Sequence, residues 1–249
     1  MLSRLCATII FFTRLPLWRV VSPPAECYKR VVELWPLVGW LTGGVTAATL
    51  WCCSFLFPPL VAVVSALMVR VFLTGALHED GLADWWDAFG GGASDRDRTL
   101  AIMKDSHIGT YGVIALIFYY LTAITTLASL PMPTACAVVF GADVWSKCCA
   151  SQIINRLPYA RTEQTAKNRT IYTSMSIGAR SLNLLLGIAG LVFVPLTLLP
   201  AMLGPVVVTA LAIRTMRHTI SGYTGDCCGA TTLMSELSFL LIAIACMNI

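Results

Sequence analysis

The chain has 249 residues, of which 57% are hydrophobic and only 12% are charged, and its formal net charge is +4. Soluble domains carry about 25% charged residues. The composition therefore excludes an ordinary soluble enzyme. Together with a mean hydropathy of +0.76, it indicates an all-α, polytopic membrane protein. We expect a single integral membrane domain over residues 1–249.

Residues 1–33 are predicted to form a cytoplasmic or interfacial segment. The stretch "MLSRLCATIIFFTRLPLW" has a basic start and a short apolar run. Arg14 follows closely and no small-residue cleavage site is visible. The pattern therefore favours a retained amphipathic helix over a signal peptide.

Long apolar runs predict about seven membrane spans. The sixth run is short for a hydrocarbon core about 30 Å thick, which favours a half-buried or re-entrant segment there. The predicted spans are 34–57, 60–78, 108–130, 134–154, 182–199, 201–214 and 231–249.

The charges between the spans predict the orientation. The links 57–60, 130–133 and 199–205 contain no charged residue, whereas the other segments outside the spans hold nearly every Lys and Arg. Because positively charged loops face the cytoplasm, the N-terminus is predicted to lie inside and the C-terminus outside. An active face built from the charged links then faces the cytosol.

An acidic cluster follows the second span in "LHEDGLADWWDAFGGG". Asp80, Asp84 and Asp87 are spaced i, i+4 and i+7, which places them on one face of a helix, and Glu79 lies beside them. No Lys or Arg is interleaved to neutralise them. All-oxygen ligation suits Mg²⁺, so the segment 79–107 is predicted to hold an active-site magnesium ion.

The alternative interpretation of this cluster is a solvated acidic loop. Trp85, Trp86 and Phe89 occupy the opposite helical face. Their position favours an amphipathic segment anchored at the membrane interface.

Two later charged segments offer further candidates. In "MKDSHIGTYG", Lys104 is a candidate phosphate ligand, Asp105 a candidate for a metal or a hydroxyl, and His107 either a base or a hydrogen-bonded interfacial residue. In "NRLPYAR", Arg156 and Arg161 suit bidentate phosphate contacts. The alternative is that both arginines only follow the positive-inside rule.

Acidic residues also occur within the fourth and last predicted spans and directly before the last one. Asp226 lies in a glycine-rich turn before the last span, and Glu236 lies inside it. An acid at that depth is costly, so Glu236 is a functional candidate by default. Asp143 and Lys147 are spaced i, i+4 in the fourth span and can neutralise each other, which favours a structural role.

These segments together resemble one family. "TGALHEDGLADWWDAFGGG", "IMKDSHIGTYG", "NRLPYAR" and "GYTGDCCGA", with "FFTRLPLW" near the N-terminus, are similar to the cobalamin synthases, also called adenosylcobinamide-GDP ribazoletransferases. The resemblance covers nearly the whole chain, with the motifs in the same order. His107 stands where the family pattern has Arg, and Trp85 and Trp86 stand where it has small polar residues.

The resemblance implies a Mg²⁺-dependent transferase of the bacterial inner membrane with a cytoplasmic active face. Adenosylcobinamide-GDP would react with α-ribazole or its 5′-phosphate, giving adenosylcobalamin or its phosphate and GMP. The expected partners are these substrates, the lipid bilayer and other cobalamin-assembly enzymes, and no nucleic acid.

The resemblance, with the residue chemistry above, also suggests roles for the candidate residues. Asp226 and Asp105 are alternatives for a second metal site or for accepting the hydroxyl proton. The candidates are Asp226, Asp105 and Lys104 for catalysis, Arg156, Arg161, His107 and Arg14 for substrate binding, and Asp80, Asp84, Asp87 and Glu79 for the metal.

Two other classes of membrane protein are alternatives. A phosphotransferase acting on CDP-linked alcohols is expected to contain D-G-x-x-A-R, but "DGLADWWD" has no Arg after its Ala. A transporter is expected to carry charges in the middle of its spans and to show an internal repeat. Here the acids gather at one predicted surface, and no repeat is visible.

Overall fold

The computed structural model describes residues 2–91, 95–161 and 171–247, and the regular elements within these ranges are helical. The all-α prediction is confirmed. Residues 92–94 of the predicted acidic segment lie outside the described residues. The helices are α1 (Leu2–Phe12), α2 (Ala25–Tyr28), α3 (Trp35–Ser54), α4 (Pro59–Thr74), α5 (Leu77–Trp85), α6 (Arg96–Lys104), α7 (Thr110–Ala128), α8 (Met132–Ser151), α9 (Ile177–Gly190), α10 (Leu203–Thr219) and α11 (Gly225–Met247).

Several of these helices are long and apolar enough to cross a membrane. Over the described ranges there are four, or five if α4 and α5 form one bent span. The membrane class is therefore confirmed, while the number of seven spans stays a prediction. The four unbroken stretches are Val31–Ser54, Thr110–Ala128, Leu196–Thr219 and Gly225–Met247.

The other predicted spans do not coincide with these four stretches, and each differs for its own structural reason. Helix α8 covers residues 134–151 of the predicted span 134–154. Every residue from Gly141 to Ser151 is buried by neighbouring helices, so this part need not be as apolar as a lipid-facing span. Helix α9 ends at Gly190 and is shorter than predicted. The sixth predicted span is longer than expected, because the 3₁₀ helix Leu196–Met202 leads directly into α10.

The predicted span 60–78 is broken near its end. Gly75 has φ 67° and Ala76 has φ 58°, and the chain direction changes by 93° between α4 and α5. Glycine tolerates this left-handed conformation, whereas for alanine it costs roughly 1–2 kcal/mol. The Arg14 side chain packs against Gly75, and its backbone N–H donates to the Leu73 carbonyl at 2.7 Å.

Buried ion pairs lie inside the bundle. Arg70 of α4 donates to Glu236 of α11 and, at 2.8 Å, to the Tyr119 hydroxyl of α7, which in turn donates to Glu236 at 2.9 Å. This structural ion pair accounts for the buried carboxylate of Glu236 and connects α4, α7 and α11. Lys147 pairs with Asp143 within α8, as predicted.

Removing one member of the Arg70–Glu236 pair should destabilise the protein strongly. Arg70→Met leaves a buried carboxylate without its cation, a change that costs about 3–5 kcal/mol. The double variant Arg70→Met/Glu236→Leu should recover most of the loss, since no unpaired charge remains. Thermal unfolding of detergent-solubilised protein measures both, with the exposed Arg180→Met as control. A double variant no more stable than the single one would contradict this prediction.

Candidate metal centre

Three carboxylates meet where α5 packs against the start of α11. One oxygen from each of Asp80, Asp84 and Asp226 lies within 4.8 Å of the other two. Asp80 is exposed and the other two are half-buried, so this carboxylate trio opens to solvent on one side. Acids this close repel one another unless a cation or protons neutralise them. An all-oxygen set of this kind fits Mg²⁺, which usually keeps water and substrate phosphates as its remaining ligands.

Local sequence positions each member of the trio. Asp80 and Asp84 are one helical turn apart on α5, so they share the face that α5 turns toward α11. Asp226 is in the first turn of α11. The backbone amides at a helix N-terminus favour a negative charge there.

Two glycines allow α5 and α11 to approach closely enough. A Cβ at Gly81 would lie 2.6 Å from the carbonyl oxygen of Asp226. A Cβ at Gly229 would lie 3.3 Å from the Cα of His78. The two backbones are therefore in direct contact, and this contact sets the distance between the trio's members.

Asp87 is directed away from the trio. The chain from Trp86 to Gly90 forms a π-helical turn, which changes the helical spacing after Asp84. Both carboxylate oxygens of Asp87 accept backbone hydrogen bonds at the start of α7, from Gly109 at 2.7 Å and from Gly112 at 2.8 Å. The structure thus brings Asp80 and Asp84 together with Asp226, and gives Asp87 a helix-capping position.

Glu79 points into the bundle. Its side chain is buried, and one carboxylate oxygen accepts a hydrogen bond from the Tyr120 hydroxyl at 3.0 Å. The structure therefore does not bring Glu79 into the trio.

The segment after α6 forms its own polar pair. The Asp105 carboxylate accepts a hydrogen bond from the His107 backbone N–H at 3.1 Å and lies 2.6 Å from His107 Nδ1. This contact lowers the pKa of the Asp105 carboxyl and raises the pKa of the His107 imidazole. Lys104, Asp105 and His107 are all exposed, and the structure does not place Asp105 in the trio.

The predicted substrate-binding arginines are dispersed. Arg14 is exposed and packs beside the bend that leads into α5. Arg161 donates to the Leu100 carbonyl at 2.8 Å and so links its segment to α6. Arg156 lines a separate cleft beside α8 and α10. Arg14 thus lies beside the bend that precedes Asp80. Arg161 lies within electrostatic reach of Tyr159, as Asp226 does.

A small cavity of mixed polar and apolar lining beside Asp226 is a feature that the sequence analysis missed. The cavity measures about 40 Å³ and is also lined by Trp35, His78 and Tyr172. Within the described ranges, neither ring nitrogen of buried His78 nor the indole nitrogen of buried Trp35 has a hydrogen-bond partner. A cavity of this kind can hold a water or a hydroxyl group. The one sign of this cavity in the sequence is the histidine that directly precedes the acids in "LHED".

Tyr159 lies near Asp226, and the sequence analysis gave it no role. Burial and the Asp226 carboxylate raise the pKa of the Tyr159 phenol to about 12, so it stays protonated at neutral pH. Its ring packs edge-to-face on Tyr223, with ring centres 5.2 Å apart. The backbone N–H of Tyr223 donates to the Pro158 carbonyl at 2.9 Å, which fixes "NRLPYAR" against the entry to α11.

Comparison with known proteins gives a consistent result over most of the chain. A family model described as cobalamin-5-phosphate synthase matches residues 4–244. A protein named adenosylcobinamide-GDP ribazoletransferase from Shewanella sp. (strain W3-18-1) is 34% identical over 240 residues, which cover 93% of this chain and 90% of that protein. The protein of the same name from Shewanella amazonensis is 36% identical over 247 residues, covering 94% and 92%. No solved structure gives a significant match.

Closing the glycine gap between α5 and α11 should separate the trio. Gly81→Ala places a methyl group 2.6 Å from the Asp226 carbonyl oxygen, so the helices must move apart. We expect about tenfold weaker binding of Mn²⁺, a spectroscopically visible substitute for Mg²⁺, measured by electron paramagnetic resonance. Gly44→Ala is the matched control, because a Cβ there meets nothing within 4 Å. Equal Mn²⁺ affinity in both variants would show that the glycine contact does not set the site.

Proposed function

This chain belongs to the cobalamin-5-phosphate synthase family, and from that premise we propose that it is an adenosylcobinamide-GDP ribazoletransferase. The observation that carries the proposal within the structure is the trio of Asp80, Asp84 and Asp226. It offers a solvent-accessible, all-oxygen site at the end of membrane helices, as transfer from a soluble diphosphate requires.

The proposed reaction is a displacement at phosphorus. A ribose hydroxyl of α-ribazole, or of its 5′-phosphate, attacks the phosphate next to the corrinoid side chain. A new P–O bond forms, the P–O bond to GMP breaks, and the hydroxyl proton is lost. Transfer of this kind needs alignment and charge neutralisation more than covalent catalysis.

We propose that Asp80, Asp84 and Asp226 hold the Mg²⁺ ion. When bound there, Mg²⁺ would neutralise the diphosphate oxygens and stabilise the leaving GMP. Asp226 differs from the other two because it borders the small cavity that His78 also lines, and because it lies near protonated Tyr159. These neighbours support a second role for Asp226, in which it accepts the proton of the attacking hydroxyl.

We propose that Arg14 and Arg161 contact the substrate diphosphate. Arg14 is exposed beside the bend that precedes Asp80, and Arg161 shares the Tyr159 neighbourhood with Asp226. The substrate roles of Lys104, His107 and Arg156 rest on their sequence positions and on the family resemblance.

The proposed active face is cytoplasmic, in the bacterial inner membrane. Asp226 follows the basic end of α10, and the link 158–160 pairs with Tyr223 next to it. The trio is therefore on the side of the positively charged segments, which the positive-inside rule assigns to the cytosol.

Removing one carboxylate from the trio should abolish most activity. Asp84→Asn keeps the side-chain size but removes a ligand charge, and we expect GMP release from the GDP-linked corrinoid to fall about 100-fold or more. Asp97→Asn is the control, because Asp97 is an exposed acid that pairs with Arg96 on α6. Purified, correctly inserted protein is assayed over a range of Mg²⁺ concentrations. Near-normal activity of Asp84→Asn would remove it from the metal site.

The two roles proposed for Asp226 have different kinetic signatures. If Asp226 acts only as a ligand, Asp226→Asn should resemble Asp84→Asn and be partly rescued by high Mg²⁺. If it also accepts the proton, single-turnover GMP release should stay slow at saturating Mg²⁺, while binding of the GDP-corrinoid is nearly intact. A wild-type single-turnover rate per folded molecule would exclude both roles.

A further inference from the structure

A second cavity is lined by helices that do not carry the trio. It measures about 500 Å³ and occupies a cleft between α8 and α10, closed at one side by Leu184 of α9. We call it the α8–α10 cleft. None of its lining residues comes from α5 or α11, the helices that carry the trio.

The lining of this cleft changes from apolar to basic along its length. On α10 it runs through Val206, Ala210, Arg214 and Arg217, residues that share one helical face. Its apolar end contains Val206, and its basic end contains the two arginines. The α8 side has the same order, with Trp145 first and Arg156 after the end of the helix.

The apolar end opens sideways toward the membrane. Val206 is 48% exposed, and the neighbouring Leu203, Val207 and Leu211 are exposed as well. They belong to the stretch Leu196–Thr219, which is long and apolar enough to cross a bilayer. A soluble ligand has no access from this direction, whereas a lipid does.

The basic end lies at the membrane surface that carries the trio, because α11 begins shortly after α10 ends. Arg156, Arg214 and Arg217 are exposed there, and within the described part of the chain none of them forms a salt bridge. Among the described residues, no Asp or Glu lines the cleft. Its basic end therefore favours an anion.

We propose that the α8–α10 cleft binds one anionic phospholipid. The headgroup phosphate contacts Arg214, Arg217 and Arg156, since guanidinium groups pair bidentately with phosphate oxygens. An acyl chain lies along Trp145 and Val206. Basic pockets between membrane helices are typical sites for anionic headgroups. The apolar half of the cleft favours a lipid over a free phosphate, which gains nothing from it.

Lipid binding to the purified full chain, followed by native mass spectrometry, tests this proposal. Phosphatidylglycerol should bind at least about tenfold more tightly than phosphatidylcholine. The double variant Arg214→Gln/Arg217→Gln should lose about tenfold or more of that affinity, because both headgroup contacts are removed. The matched control is Arg180→Gln, which removes an exposed positive charge outside the cleft.

A second variant tests the apolar half and keeps the charges. Val206→Trp fills that half, so it should weaken phosphatidylglycerol binding without changing any weak binding of inorganic phosphate. Thermal unfolding confirms that each variant is folded, and if the double variant is not, Val206→Trp decides the question.

Four results would overturn the proposal. They are equal binding of the two lipids, an equal loss in Arg180→Gln and the double variant, unchanged lipid affinity in Val206→Trp, and displacement of the lipid by millimolar inorganic phosphate. The last result would identify the cleft as a site for a soluble phosphate compound.

Discussion

The direct contact between the backbones of α5 and α11 is the constraint on which the candidate site depends. Gly81 and Gly229 leave no side chain between the two helices, so their polypeptide backbones touch. Because Asp80 and Asp84 flank Gly81 on one helix and Asp226 starts the other, this contact places three carboxylates within reach of one cation. A Cβ at Gly81 would lie 2.6 Å from the Asp226 carbonyl oxygen, so a larger residue there would push α11 away and disturb the spacing that metal ligation needs.

Backbone strain occurs a few residues before Asp80 and a few residues before Asp226. Ala76 and Ser221 are the two non-glycine residues with positive φ in the described ranges, and each lies a few residues before a trio carboxylate. Such conformations persist only where surrounding packing fixes them. At Ala76 the packing includes Arg14, which lies against the bend.

Buried ion pairs hold the helices that carry this strained arrangement. Arg70 and Glu236 neutralise each other below the trio and connect α4 to α11, and Tyr119 adds α7. Charges in the middle of spans are one expected feature of a transporter. Here these residues bond to one another, so cohesion of the bundle accounts for them. The same helices thus combine buried ion pairs with an acidic site that is open to solvent.

The sequence by itself determined the membrane class, the all-α architecture, the pairing of Asp80 with Asp84 and the family. Composition, helical spacing and the order of the family motifs can all be read from the chain without knowing how the helices pack. Only the tertiary structure identified Asp226 as the third carboxylate of the trio. Regular helical spacing selects Asp87, but a π-helical turn redirects it to cap α7, and Asp226 enters from a distant part of the chain. It also decided that Glu236 pairs with Arg70 and that Arg156 lines a cleft between α8 and α10, because contacts between distant residues depend on how the helices pack.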